Sequence, residues 1–241
     1  MIRSFLARIR AVIAAHGWTD GILYLFSRTL AGMSRGRARF VRYALTVQPL
    51  ASMPPVPERR TGRFTVREIG ATETQLLAAM QRPMAALLDR YRQGAFCLGL
   101  FRSDELAGFA WLTIGAYQED EVRCRFLPAP QGQAAWDFDV FIAPRFRLSG
   151  AFLQLWTGVA RELRARGCEY SCSRISRFNL GSLSSHRRIG AEPVATANFL
   201  VLGPLQFMVA GIRPYLHVSA SATRQPTLRI DTTRFRGGGQ D

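Results

Sequence analysis

The chain has 241 residues, and all 32 of its basic residues are arginine, since the sequence contains no lysine. Against 17 acidic residues they give a formal net charge of +15. Because 48% of the residues are hydrophobic, the chain is able to bury a core, which excludes wholesale disorder. The absence of lysine excludes every mechanism that depends on one, such as a Schiff-base lysine, a lysine base or the lysine of a P-loop.

The positive charge is concentrated at the two ends of the chain. The net charge is +8 over residues 1–60, +4 over 61–203 and +3 over 204–241. Arginine binds phosphate and carboxylate groups through a bidentate fork, so the excess favours anionic partners. Nucleic acid is disfavoured because the arginines are not interleaved with aromatic residues as on a stacking platform. A coding bias toward GC-rich codons explains missing lysine but not the net charge.

The first 62 residues are predicted to be a basic helical extension followed by a linker. Residues 2–16 place Phe5, Leu6 and three further apolar residues on one side of a helix, and a second helix is expected over 22–30. Such a helix is typical of docking on a membrane surface or on a partner, but it also suits packing against the domain. Residues 40–47 alternate like a strand, and the proline-rich residues 48–62 predict a domain boundary.

Residues 63–203 are expected to form one domain with regularly alternating elements. Strands are predicted at 64–69, 95–102, 106–114, 122–127, 136–142, 170–175 and 195–202, and helices at 72–80, 84–91, 150–166 and 180–189. The last region, 204–241, is predicted to be a C-terminal extension that is largely disordered after Ser219.

The four cysteines predict buried thiols rather than a metal site. They are Cys97, Cys124, Cys168 and Cys172, and no histidine lies at a spacing that would complete a usual zinc pattern. Arg8 and Arg10 interrupt the first apolar run, so it does not pass as a signal peptide, and no run of about 18 apolar residues predicts a membrane span. We therefore expect a cytoplasmic protein without metal, with peripheral attachment to the inner membrane face left open.

A strand that runs directly into a helix gives the first candidate site. The strand ends in Phe141-Ile142-Ala143-Pro144, and the arginine- and glycine-containing segment 145–151 opens the helix. Helix N-termini present free N–H groups and a positive dipole, so this segment suits a pyrophosphate. An ordinary strand-to-helix turn in an arginine-rich chain is the alternative.

Together with a second segment, this loop resembles signatures of the GNAT superfamily of acyl-CoA-dependent N-acetyltransferases. The second segment runs from Asn179 through Ser182, His186 and Gly190 to Ala191, and it is similar to the family's motif of Asn, Ser or Ala, Tyr or His, a basic residue and Gly-Phe. The element order over 63–203 agrees with that family. The resemblance implies a mixed α/β fold with a central twisted sheet flanked by helices, preceded here by the basic helical extension.

The resemblance also implies roles for matching residues. Main-chain N–H groups from Arg147 to Ala151, that is Arg147, Leu148, Ser149, Gly150 and Ala151, would hold the CoA pyrophosphate. Main chain at Phe141 and Ile142 would pair with the pantetheine arm, with Asn179 and Ser182 beside it. His186 would act as general acid for the leaving thiolate. Asp139 matches the strand position of a general base, and Asp137 should face the same side of the strand. Amine binding or solvent exposure for the aspartates, and a structural role for His186, are the alternatives.

Three positions depart from the family pattern, namely Leu148, Phe152 and Ala191, where small or aromatic residues are usual. They predict a crowded pyrophosphate loop. The expected activity is transfer of an acetyl or other acyl group from acyl-CoA to a primary amine of a small molecule, sugar or lipid by direct attack. An acyl carrier protein as donor, binding the basic N-terminus, is an alternative. Another is a non-catalytic arginine-rich module that binds anionic lipid or nucleic acid.

Overall fold

The computed structural model describes residues 2–55, 64–221 and 223–235. Its helices are α1 (Ile2–His16), α2 (Trp18–Met33), α3 (Thr74–Ala79), α4 (Met84–Arg92), α5 (Ala151–Ala165) and α6 (Leu180–Arg188). Its strands are β1 (Ala38–Pro49), β2 (Thr65–Ile69), β3 (Phe96–Arg102), β4 (Glu105–Thr113), β5 (Tyr117–Gln118), β6 (Arg125–Ala129), β7 (Ala134–Ile142), β8 (Tyr170–Ser176), β9 (Glu192–Leu202), β10 (Leu205–Ala210), β11 (Leu216–Ser219) and β12 (Thr227–Asp231).

Nine strands form one sheet in the order β11-β10-β9-β1-β8-β7-β4-β3-β2. Its neighbouring strands are antiparallel except for β7 and β8, which are parallel. A separate sheet of three short strands has the order β12-β6-β5. This mixed sheet flanked by helices confirms the fold class predicted from the sequence.

The two faces of the large sheet bury two separate cores. Side chains such as Tyr43, Leu45 and Trp111 point to one face, where they pack with α3, α4 and the small sheet. The opposite face packs against α5 through residues such as Ala135 and Trp156. The alternation of side chains along each strand produces this division, because successive residues point to opposite sides of a sheet.

The predicted division at residue 62 does not hold for the strand that precedes it. Strand β1 lies between β8 and β9 inside the large sheet, with antiparallel pairing to both. It is therefore part of the domain that the sequence assigned to residues 63–203. Strands β10 and β11 extend the same sheet beyond residue 203. Pro57 and Gly62 of the predicted linker lie outside the described residues.

The predicted disorder after Ser219 is wrong for residues 227–235. Strand β12 pairs in parallel with β6, and its Leu228 and Ile230 are buried. A short 3-10 helix follows at Thr233–Phe235. The glycine triplet at 237–239 lies outside the described residues. Hydrophobic residues at alternate positions provided the signal for this strand, and a buried partner strand makes it stable.

The second N-terminal helix, α2, packs against the domain rather than standing apart. Asp20 on α2 is buried, and it accepts hydrogen bonds from Arg42 on β1 at 2.8 Å and from Arg177 at 3.0 Å. Phe26 packs edge-on against Phe40 of β1 at a ring distance of 5.5 Å. The side chains of Phe5 and Leu6 lie outside the described part. No helix in the described ranges is long and apolar enough to cross a membrane.

Candidate functional site

A cleft opens where the two parallel strands of the large sheet separate. Residues Ala134–Asp137 of β7 pair with residues Tyr170–Ser173 of β8, and beyond these residues the two strands are no longer paired. A cleft of about 410 Å³ lies between the unpaired end of β7 and helix α6, which follows β8. The residues lining it come from β7, α5, α6 and their connecting loops, and are Val140, Phe141, Ile142, Arg147, Phe152, Asn179, Gly181, Ser182, Ser185 and His186.

The start of α5 contributes main-chain N–H groups next to the cleft. Gly150 has φ +86°, a left-handed conformation that favours glycine and turns the chain into the helix. The first bond of this helix runs from the Gln154 N–H to the Gly150 carbonyl at 3.1 Å, so the N–H groups of residues 151–153 precede the helical ladder. Leu148 is 97% exposed, so it does not crowd the loop as its size predicted. Phe152 does line the cleft.

The side chain of Arg147 lies along the floor of the cleft. Its Nε donates to the carbonyl oxygen of Ile142 at 3.2 Å. That carbonyl was expected to pair with a pantetheine arm. A ligand that bonds to the Ile142 carbonyl oxygen therefore has to displace the Arg147 side chain from it. The displaced guanidinium would then be free to bind a phosphate.

Helix α6 forms the opposite wall, and Asn179 begins it. The Asn179 side-chain oxygen accepts a hydrogen bond from the Ser182 N–H at 3.1 Å, which is a helix N-cap. Because the oxygen is used in capping, the amide nitrogen of the same side chain is the group left to contact a ligand. Asn179 thus has a structural role in addition to lining the cleft.

His186 is a buried side chain of α6 at the inner end of this wall. Its ring meets Phe152 and Trp156 edge-on at 5.3 Å and 5.4 Å between ring centroids. Its Nδ1 lies 2.8 Å from the Ser182 carbonyl oxygen. A carbonyl only accepts, so Nδ1 carries the proton and the neutral ring keeps a bare Nε2. Burial lowers the pKa of His186, and the hydrogen bond to Ser182 opposes this effect only partly, so the neutral ring is favoured.

A bulge in β7 places Asp139 beside two arginines. Phe138 pairs with Trp111 and Phe141 with Phe109, so the two residues between them face a single residue of β4. Asp139 has φ +45° and is held by Arg82 at 2.7 Å and by Arg90 at 2.7 Å. Burial opposes ionisation of Asp139, but the hydrogen bonds from both arginines outweigh it and lower its pKa. A carboxylate held in this way is a weak proton acceptor.

Asp139 lines a second cavity of about 270 Å³ on the other face of the sheet. The cavity is bordered by charged side chains from the α3–α4 connection, α4, the segment after β5, and β8. They are Arg82, Arg90, Glu119, Asp120, Glu121, Asp139 and Arg174, together with Tyr117 and Phe138. Arg174 pairs with the buried Glu119 at 3.0 Å through its Nε.

Asp137 faces the side of the sheet opposite to Asp139, contrary to the prediction that both share one face. Its carboxylate accepts a hydrogen bond from the Ser171 hydroxyl at 2.6 Å, and Ser173 also bonds to it. The bulge at Asp139 breaks the alternation on which the prediction relied. Burial raises the pKa of Asp137 to about 7, despite the serine hydrogen bonds and the charge of Arg174. Asp137 is the last residue of β7 that pairs with β8, so it lies at the base of the cleft.

The cleft therefore gathers part of the predicted site. It includes Phe141, Ile142, Arg147, Asn179, Ser182 and His186, while Asp137, Asp139 and the loop residues Leu148, Ser149, Gly150 and Ala151 are not among the lining residues. Val140, Gly181 and Ser185 line it without having been predicted. Their signal was available, since they are neighbours of predicted residues on the same strand and helix.

The four cysteines are buried free thiols, in agreement with the interpretation of the sequence. Cys97 and Cys172 lie on strands β3 and β8, whereas Cys124 and Cys168 come just before strands. Within residues 2–55, 64–221 and 223–235, no group of three or more His, Cys, Asp and Glu side chains is placed to hold a metal ion.

Comparisons with known proteins find similar backbone folds but no similar sequence. No protein-family model and no curated protein matches the chain. One similar structure is a GCN5-related glucosamine N-acetyltransferase region of a fungal multi-domain GH3 beta-N-acetylglucosaminidase, at 15% identity and a TM-score of 0.49, covering 72% of this chain and 22% of that one. Another is a GCN5-related N-acetyltransferase from Kribbella flavida, at 14% identity and 0.43, covering 78% and 61%.

A third similar structure is AAC(6')-Iy in complex with the bisubstrate analog CoA-S-monomethyl-acetylneamine. It is 20% identical with a TM-score of 0.42, and the match covers 53% of this chain and 89% of that one. At these levels of identity the likeness concerns backbone shape alone. The roles of individual residues depend on the geometry of this chain itself.

Proposed function

We propose that the protein is an acyltransferase that moves an acyl group from a thioester donor, acyl-CoA or an acyl carrier protein, to a primary amine. The observation that supports this best is the cleft between the separated ends of β7 and β8. It has a main-chain floor, the N-terminus of a helix at one end and a neutral histidine in its wall. An extended thioester arm pairs well with such a floor, in the manner of an added strand.

The residues around the cleft fit a phosphorylated donor. The N–H groups at the start of α5 and the guanidinium of Arg147 supply positive potential at one end of the cleft. Main chain at Phe141 and Ile142 offers hydrogen bonds along the floor, and the Asn179 amide lies across from it. The donor would be held so that its thioester lies near the bulge of β7, where the main-chain N–H of Val140 would polarise the carbonyl.

The acceptor amine is proposed to enter from the second cavity. Val140 lines the cleft, and the preceding residue, Asp139, lines the cavity. The two spaces therefore lie on either side of the bulge in β7. The cavity holds four carboxylates against three arginines, in a chain whose overall charge is strongly positive. A cationic amine is therefore attracted to this cavity more than to the surrounding surface.

The proton of the attacking nitrogen has an acceptor in His186. The cationic amine first releases one proton to solvent, and the neutral nitrogen then attacks the thioester carbonyl carbon. The carbon–sulfur bond breaks, and the sulfur leaves as a thiolate. In the proposed path Nε2 of His186 takes the proton that the nitrogen loses and then gives it to the thiolate. This path differs from a purely acidic role for His186, because the tautomer set by Ser182 leaves Nε2 without a proton. Asp137 and Asp139 act here as positioning residues.

The proposal is tested by incubating the full chain with acetyl-CoA and longer acyl-CoA donors and a panel of amines, while the released thiol is followed with a chromogenic disulfide. Amine-dependent release of thiol is the expected result. For His186→Ala we expect turnover to fall by about a hundredfold with little change in donor KM, since removal of a general base has effects of that order. His217→Ala removes a histidine on β11, outside both spaces, and should keep full turnover.

For Asp139→Asn the sequence predicts a shifted pH profile. The ion pairs with Arg82 and Arg90 instead favour a raised acceptor KM, because the variant removes one of the two carboxylates that pair with the buried Arg90 and leaves it only Asp120. Absence of thiol release together with absence of donor binding by calorimetry, for CoA thioesters and acyl carrier protein alike, would overturn the proposed activity. In that case a non-catalytic binding module would be the remaining explanation.

A further inference from the structure

Most of the large apolar side chains that the described residues expose lie in one region of the surface. Helix α2 exposes Trp18, Ile22, Phe26 and Met33, and the end of the large sheet exposes Leu202, Leu205, Phe207, Val209, Leu216 and Val218. We call this set of ten residues the apolar surface. Exposed apolar patches of this extent are rare on proteins that act alone in water, and they mark sites of interaction.

The strand register shows that the two parts of the apolar surface are continuous. Phe26 packs against Phe40 on β1, and Phe40 pairs with Leu200 on β9. Leu200 pairs with Phe207 on β10, and Phe207 pairs with Val218 on β11. Met208 next to Phe207 belongs to the core on the other face. These side chains therefore form one row across the same face of the sheet, from α2 to the edge strand.

The segments that carry the apolar surface contain arginines but almost no acidic residues. Residues 1–55 contain eight arginines and the single acid Asp20, and residues 193–221 contain Arg213 and no acid. Asp20 is buried between Arg42 and Arg177, so it does not offset the exposed charge. Arg28, Arg35, Arg37 and Arg213 are exposed beside the apolar residues in α2 and in the turns that follow α2 and β10. The apolar surface is thus accompanied by positive charge alone.

We propose that the apolar surface docks the protein on a membrane that contains anionic lipids. The apolar side chains would enter the interface between headgroups and acyl chains, and the arginines would bind the lipid phosphates. Charge decides against a second copy of the chain as the occupant, because a symmetric contact would bring the same arginines together. None of the ten residues lines the cleft, and the inference does not depend on the proposed activity.

Trp18 provides a direct readout of docking. The chain has four tryptophans, of which Trp111, Trp136 and Trp156 are fully buried while Trp18 is 73% exposed. Phosphatidylcholine vesicles with and without phosphatidylglycerol are added to the full chain, and binding is measured by flotation. Binding to the anionic vesicles is expected, with a blue shift of the fluorescence and quenching by brominated acyl chains. Trp18→Phe should remove the quenching, because the remaining tryptophans do not reach the lipid.

Two pairs of substitutions and a control separate the contribution of the apolar side chains to membrane binding from that of the arginines. Phe207→Asp with Val209→Asp should abolish flotation. Arg35→Gln with Arg37→Gln should reduce the partition coefficient by roughly thirtyfold, since each basic residue near an anionic surface contributes about 1 kcal/mol. Leu148→Asp changes a still more exposed apolar residue on the loop before α5 and should leave flotation unchanged. Thermal unfolding of every variant checks that the fold is kept, and the arginine pair tests the proposal even if the aspartate pair does not fold.

Four results of the vesicle experiments would overturn the proposal. They are an absence of binding to anionic vesicles, equal binding to vesicles of phosphatidylcholine alone, binding that the arginine pair leaves unchanged, and quenching that persists in Trp18→Phe. A dimer in sedimentation velocity that dissociates in the aspartate pair would likewise overturn it, in favour of a second copy as the occupant.

Discussion

Replacement of Asp137 by asparagine should make the stability of the protein depend on pH in a different way. The carboxyl of Asp137 is buried, and burial raises its pKa from 3.8 to about 7. The folded state therefore binds a proton that the unfolded state releases between these two values. The stability that the neutral carboxyl contributes is complete below about pH 4 and is lost as the pH rises to about 7. Asparagine stays neutral throughout, so the variant lacks this loss.

The size of the effect follows from the two pKa values. Each pH unit between them changes the free energy of unfolding by about 1.4 kcal/mol, so the whole interval corresponds to roughly 4 kcal/mol. Over the practical range from about pH 5 to 7 the stability of Asp137→Asn relative to the wild type should rise by roughly 2 to 3 kcal/mol. A constant offset from altered hydrogen bonding to Ser171 adds to all points and leaves the slope unchanged.

The measurement is urea unfolding of both proteins across this pH range, with the difference in free energy plotted against pH. Asp104→Asn serves as the matched control, since it removes the same charge from an exposed turn between β3 and β4. The control should show no comparable rise. A flat difference for Asp137→Asn, or one that falls with pH, would refute the argument that burial keeps this carboxyl neutral.

Two further predictions concern the packing that supports the site. Asp20→Ala should reduce the free energy of unfolding by about 3 kcal/mol in urea titrations, because it leaves the partly buried Arg42 and Arg177 without their partner; a loss below about 1 kcal/mol would contradict this role. Gly158→Ala should destabilise although alanine favours helix, because a Cβ there would lie 2.6 Å from the side chain of Val66. The double variant, with both Gly158→Ala and Val66→Ala, should be more stable than the single variant Gly158→Ala. A loss of stability in the double variant equal to the sum of the losses in the two single variants would contradict the proposed contact.

The elements of the central region could be predicted from the sequence with little error. The helix expected at 150–166 is α5 at Ala151–Ala165, and the strand expected at 136–142 is β7 at Ala134–Ile142. Apolar periodicity and glycine or proline boundaries depend on near neighbours in the chain, so they are readable without a structure. The clustering of Arg147, Asn179 and His186 could be predicted as well, because the two segments that carry them resemble signatures of one family.

The roles of the two aspartates needed the tertiary structure. Strict alternation predicts one face for Asp137 and Asp139, and a single extra residue in β7 places them on opposite faces. Arg82 and Arg90, which hold Asp139, lie 57 and 49 residues away along the chain. Pairing over such distances depends on how helices and strands pack, and a local pattern carries no information about it.

The sequence by itself determined the type and order of most elements, the concentration of arginine at the ends, and the candidate loop and helix of the cleft. The tertiary structure decided that β1 lies inside the sheet and that β12 forms in the tail. It also decided that the exposed side chains of α2 and β10 share one surface. The physical reason is that strand order and register arise from contacts between distant segments, whereas helix and strand periodicity arises from the geometry of the local backbone.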